Sequence, residues 1–291
     1  MNYQFSSVKY PALKQLLVER LQAALDLYIC ECGITAPQLK CHIRLKQAKQ
    51  EGQVLYVCAI ALQLSKTLNL PPLEIAQALA ELVLHQTDGQ DFTVQVVQPG
   101  LIYLELTQSY LADLLQYLAQ TPSRLCCLTG QGEMGKMGEM GDKFQFQYAH
   151  ARCCSILQLA HREELITLQP TDSDTVSALW QIVMPKPIPW LNSKQICLSH
   201  PAQLALISQL LIVLDAFYCP CSSHQSINWH KLALNLSQAF QTFYSQCRIW
   251  GEVKSQNIQL AQARLGLVLI TQSVLRLLLQ DHLGIIAPSE L

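Results

Sequence analysis

Between Thr121 and Phe144 the chain reads TPSRLCCLTGQGEMGKMGEMGDKF. Five of the twelve glycines fall in this stretch, together with an internal echo, GEMG-KM-GEMG. Glycine at this density opens backbone freedom that a packed element would have to remove, so the composition is that of a linker. It divides the 291 residues into two parts of domain size, 1–120 and 145–291, with 121–144 between them.

The two parts differ in their hydrophobic period. In the first, YPALKQLLVERLQAALDLYI places Leu13, Leu16, Leu17, Leu21, Ala24 and Leu25 on one helical face. QVLYVCAIALQLSKTLNL reads as a second, more buried helix. PPLEIAQALAELVLH is a third, with its prolines at the start, where a helix tolerates them. The period then becomes two: DFTVQVV and LIYLEL alternate around QPG, a hairpin signal, before QSYLADLLQYLAQ returns to helix. An α+β domain with a small antiparallel sheet is expected. From Phe146 onward the pattern is helical throughout. The segments are FQYAHARCCSILQLAHR, SDTVSALWQIVM, PAQLALISQLLIVLDAF, NWHKLALNLSQAFQTFYSQCR and IQLAQARLGLVLITQSVLRLLLQDHL, with PKPIPW as a stiff loop. This predicts an all-α bundle.

Half of the residues are hydrophobic and only 14% are charged, which supports sizeable cores and excludes a disordered chain. Thirty-four glutamines against 21 acidic residues make much of the polar surface uncharged amide. Such a surface suits either a bound partner or a glutamine-rich soluble protein. The net charge of −1 lacks the basic excess usual in nucleic-acid binders, and the positive charge is local. KCHIRLKQAK carries Lys40, Arg44, Lys46 and Lys49 without an acid. If Cys41 to Leu45 form a strand, Lys40, Arg44 and Lys46 share a face, as phosphate contacts or as the guard of an edge strand. MNYQFSSVKY has no signal-peptide pattern, and no uninterrupted run reaches the ~18 apolar residues of a membrane span. A cytoplasmic protein without membrane contact is expected. The twelve cysteines then read mostly as small buried hydrophobes. Cys219, Cys221 and His224 in CPCSSH are the best metal candidates. One intervening proline and no fourth ligand do not complete a zinc site, and no metal is expected.

Signatures of catalysis are absent. GQGEMGKM satisfies the P-loop pattern except at Met137, where a hydroxyl is needed for magnesium, and Gly138 and Gly141 weaken any helix after it. His150, His161, His200, His224, His230 and His282 form no i, i+4 metal pair, and no Ser or Cys nucleophile stands in a recognisable base context. No cofactor is expected. Phe240, Phe243 and Tyr244, with Arg248 one turn on, form either a core stripe or a platform on which unpaired bases could stack. Tyr148 and Arg152, at i and i+4, allow the same two readings.

GQVLYVCAIALQLSKTLNLPPLEIAQALAELV and the hairpin VVQPGLIYLEL together resemble the additional N-terminal domain of arginyl-tRNA synthetases. QYAHARCCSIL, LSQAFQTFYSQCRI and ARLGLVLITQSVLRLLLQDHLGIIAPSEL resemble that family's DALR anticodon-binding domain. The resemblance covers nearly all residues outside the linker. The family's catalytic domain, with its His-Ile-Gly-His and Lys-Met-Ser-Lys-Ser signatures, has no counterpart, and a linker of this length cannot hold a domain of ~100 residues.

The resemblance implies tRNA as partner, most naturally an arginine-specific one. Tyr148, His150, Arg152, Phe243, Tyr244, Arg248 and Arg264 would line the anticodon face. Lys40, Arg44, Lys46, Lys49 and Tyr103 would meet the tRNA elbow and its phosphates. Several positions depart from the family pattern. Leu101 and Tyr103 stand for Phe and Asn in the hairpin, Glu105 stands where a base is common, and the tail ends Pro288-Ser289-Glu290-Leu291 instead of Pro-Glu-Arg-Met. The expected function is a non-catalytic tRNA-binding protein with an accessory or regulatory role. The alternatives are a protein-interaction module on a retired synthetase scaffold and the tRNA-binding part of a split synthetase.

Overall fold

The computed structural model describes residues 13–31, 43–48, 54–86, 91–120, 140–170, 179–218 and 227–291. The chain divides into two compact units, one built on Ala12–Leu111 and the other on Ala112–Leu291.

In the first unit, α1 (Leu13–Glu31) buries Leu13, Leu17, Leu21, Ala24, Leu25 and Tyr28 along one stripe and packs on α3 (Pro72–His85). Four strands, β1 (Leu45–Gln47), β2 (Leu55–Cys58), β3 (Phe92–Val97) and β4 (Leu101–Leu106), make an antiparallel sheet in the order β1-β2-β4-β3. The stretch read as one long helix is divided: Leu55–Cys58 is an inner strand, and α2 (Ile60–Leu68) begins only afterwards. Leu55, Tyr56 and Cys58 are all buried. A short apolar run covered on both sides carries no period that tells a strand from a helix. The first strand also starts later than expected, at Leu45 rather than Cys41. The hairpin stands as read, with the cis bond Gln98–Pro99 leading to Gly100. Gly100 sits at φ +143°, and a Cβ there would come within 2.7 Å of the Pro72 carbonyl oxygen at the start of α3. Only glycine fits that approach.

From Ala112 onward, α4 (Gln108–Gln120) belongs to the second unit. Helices α5 (Met140–Arg162), α6 (Pro201–Tyr218), α7 (Trp229–Gln246), α8 (Glu252–Gln256) and α9 (Ile258–Leu277) follow. A single π-turn, Leu278–His282, extends α9. The centre is α9, in which every residue from Ala263 to Leu277 is buried, against α5, α6 and α7. Asn228 and Asn257 cap α7 and α9, accepting from the backbone N–H of Lys231 and Leu260.

The bundle is not wholly helical. Trp180–Met184, read as the end of a helix, is strand β6 paired with β5 (Thr167–Pro170). A smaller pair, β7 (Leu191–Asn192) and β8 (Gln195–Ile196), follows the proline loop. In WQIVM, Ile182 alone is buried, an alternation that the wider helical window concealed. The linker reading also gives way at its end, since α5 begins at Met140.

Counting uninterrupted apolar runs missed that α6 and the Ile258–His282 segment are long and apolar enough to cross a membrane. The second of these is 94% buried within its unit, as a core helix is. Residues 121–139 with the GQGEMGKM string, Cys219, Cys221, His224, Lys40 and Lys49 lie outside the described residues.

Candidate nucleic-acid interface

At 100° per residue, Phe144, Tyr148 and Arg152 fall in one line along α5. Phe144 and Tyr148 are 61% and 45% exposed, large values for aromatic rings, and their centroids lie 6.2 Å apart at 26°. One turn on, the Arg152 guanidinium sits 4.7 Å from the centroid of the Tyr244 ring, and its Nη2–H donates to the Tyr244 hydroxyl. The Tyr244 ring is backed by Phe240, 6.3 Å away and nearly parallel, and Phe240 lies in the core. Arginine held this way keeps a planar cationic face fixed beside two open rings.

Arg248 is exposed one turn beyond Tyr244. Its backbone carbonyl accepts from the Arg264 Nη1–H, which anchors the loop carrying it. Arg264 itself is largely buried, so it supports the surface rather than forming it.

Two of the expected face residues point inward instead. Phe243 is fully buried, with Phe240 as a ring neighbour. His150 is also fully buried, on the side of α5 away from Tyr148. The carbonyl of Pro288 can only accept, so His150 Nδ1–H donates to it at 2.8 Å, and Nε2 accepts from the Gln272 side-chain amide at 3.1 Å. Burial lowers the His150 pKa to about 4, the bond to Pro288 opposes that, and the charge of Arg276 adds to it. His150 therefore remains neutral near pH 7 and ties the C-terminal tail to α5 and α9. The motif gives its position, while its partners decide its role. Cys153 and Cys154 are core packing: burial pushes the Cys154 thiol up to about 12 and raises that of Cys153 as well.

The sequence reading missed Phe144 and Gln147. Gln147 donates to the carbonyl of Ile286 at 3.0 Å and so helps dock the tail. The i, i+4 spacing of Phe144 and Tyr148 was the available signal, hidden because Phe144 was assigned to the linker.

In the first unit the expected contacts are placed on the sheet. Arg44 and Lys46 are exposed, Lys46 on β1 and Arg44 just before it. Lys46 pairs with Val57, and Val57 with Tyr103, so Lys46 and Tyr103 share a face two strands apart, about 10 Å. Glu105 lies on that face two residues beyond Tyr103. Since β1 is an edge strand, Lys46 also guards that edge. Among the described residues, no three His, Cys, Asp or Glu side chains group as a metal site.

The family described as DALR anticodon binding domain matches residues 146–291, and that described as arginyl tRNA synthetase N terminal domain matches 12–106. An arginine–tRNA ligase of Synechococcus sp. (strain JA-3-3Ab) is 28% identical over 144 residues, half of this chain and 21% of the relative. That of Heliobacterium modesticaldum is 31% identical over 148 residues, 51% of this chain and 23% of the relative. That of Polynucleobacter necessarius is 36% identical over 98 residues, a third of this chain and 16% of the relative. The chain thus spans about a fifth of the length of these ligases, and no catalytic domain is among the matched families. No solved structure matches. With half of its residues matched, the chain belongs to the DALR anticodon binding domain family and joins that domain to an arginyl-tRNA synthetase N-terminal domain.

Proposed function

We propose that the protein binds tRNA without aminoacylating it, as an accessory or regulatory factor in the cytoplasm, and that an arginine-specific tRNA is its preferred partner. The observation that carries this reading is the open aromatic pair Phe144–Tyr148, continued by the Arg152–Tyr244 pair. Unpaired bases of an anticodon loop can stack on such a surface while arginine engages the backbone. Arg248 adds charge at one end, and Arg44, Lys46 and Tyr103 offer contacts for the elbow. The stretch between the matched domains, residues 107–145, is too short for a catalytic domain. This supports a role without chemistry for the chain alone.

Filter-binding titrations against total and arginine-specific tRNA, at two salt concentrations, test the reading. Saturable, salt-sensitive binding at micromolar protein or below is expected, and Arg152→Ala weakens it about tenfold. Absence of such binding sinks it. A protein partner is the second reading, favoured by the net charge of −1 and the amide-rich surface, and it predicts that tRNA binding is lacking altogether. A split synthetase, the third, predicts charging of tRNA only when a separate catalytic chain is supplied.

A further inference from the structure

The second unit holds a cation that no partner neutralises among the described residues. Arg276 stands in the last turn of α9 and is 8% exposed. Its Nε and Nη1 are both sealed from solvent without an acceptor, and no hydrogen bond or ion pair of Arg276 exists among the described residues. Nη2 is absent from the sealed atoms, so this nitrogen keeps the opening to the surface. The charge of Arg276 acts on His150, but that imidazole offers nothing in return, since Nδ1–H is given to Pro288 and Nε2 is taken by Gln272. α9 contains two arginines and no acidic residue.

Burying an unpaired charge costs more than the aliphatic stem of an arginine returns in packing. Arg152 and Arg264 carry a sealed, unaccepted Nε as well, and neither has an ion pair among the described residues. Arg276 is twelve residues and about 18 Å along the helix from Arg264, which makes it a separate position rather than part of the same contact.

We propose that Arg276 anchors an oxyanion site that takes a phosphate group, which enters at the Nη2 edge and accepts a charge-assisted hydrogen bond from that nitrogen. Free phosphate and the backbone of a bound RNA both present this group. The site does not depend on tRNA binding, and the two sources are separated by experiment.

The full chain is melted in phosphate-free buffer while sodium phosphate is titrated against sodium chloride at equal ionic strength. The same is done with an anticodon stem-loop RNA. A saturable rise in Tm with phosphate alone identifies a free-phosphate site. A rise with RNA only, accompanied by a severalfold loss of RNA affinity in Arg276→Met, identifies a backbone contact. In both cases Arg276→Met melts at or above the native chain without anion and loses the response, while Arg276→Lys retains a weaker one. The proposal is overturned if neither ligand raises the Tm of the native chain or if Arg276→Met responds equally. Melting of either variant well below the native chain in anion-free buffer also overturns it, because the guanidinium would then be structural.

Discussion

Gly266 shows how closely single residues are fitted. It lies within α9, where glycine costs roughly 1 kcal/mol against alanine. A Cβ there would stand 2.5 Å from the Trp190 ring, and Ile188 is close behind at 3.2 Å. Gly266→Ala should therefore destabilise the second unit by about 1–3 kcal/mol despite its better helix propensity, read as a lower denaturation midpoint. His150 makes a prediction about pH. Its folded pKa, about 4, is below the ordinary 6.5, so the unfolded chain binds more protons between these values. Its contribution to stability is intact above pH 6.5, declines as pH falls through that window and is fully lost below 4. The loss amounts to roughly 3 kcal/mol. Urea denaturation from pH 7.5 to 4 should show this decline, and His150→Gln should be flatter by about one proton. Equal slopes in both proteins would mean that His150 is not held neutral.

At the level of elements, legibility followed burial. Helices with one buried stripe, such as α1 and α3, and the alternating hairpin β3–β4 were readable because one face meets solvent and the period survives. β2 lost its period through burial on both faces, and β6 was lost in an apolar window whose neighbours read as helix. The candidate site divided the same way. Tyr148 and Arg152 lie one turn apart on α5, as their spacing has it, whereas the meeting of Arg152 with Tyr244 and the burial of His150 and Phe243 depend on contacts between elements, which spacing along one helix does not contain. α4 makes a further point, since it lies outside both family matches. Its Gln116 is buried, and the side-chain oxygen accepts from the Ile188 backbone N–H at 3.0 Å and the Trp190 indole N–H at 2.8 Å. Gln116→Leu strands two buried donors, so a loss of about 2–4 kcal/mol is expected. Intrinsic fluorescence of Trp190, among four tryptophans, should shift as its indole loses that bond. An unchanged midpoint and spectrum would mean that α4 is not fastened there.

For the molecule as a whole, the net charge sets the terms on which it can hold an RNA. A chain at −1 has no net positive charge to attract a polyanion from a distance, so affinity has to come from a few placed cations and from stacking. These two contributions differ in their response to salt. Each phosphate neutralised on a single strand contributes about −0.7 to the slope of log K against log salt, whereas stacking contributes almost nothing. With Arg152 and Arg248 on one unit and Arg44 and Lys46 on the other as the exposed or half-exposed cations discussed, the slope should be about −2 to −3. Tyr148→Ala and Phe144→Ala should each cost about 1–3 kcal/mol of affinity and leave that slope unchanged. Arg248→Ala should flatten it by about 0.7. Titrations of the native chain and these three variants at four salt concentrations provide the measurement. A slope steeper than about −6 would mean that a larger basic surface carries the binding, and a slope that changes with Tyr148→Ala would mean that the ring orders the arginines instead of receiving a base.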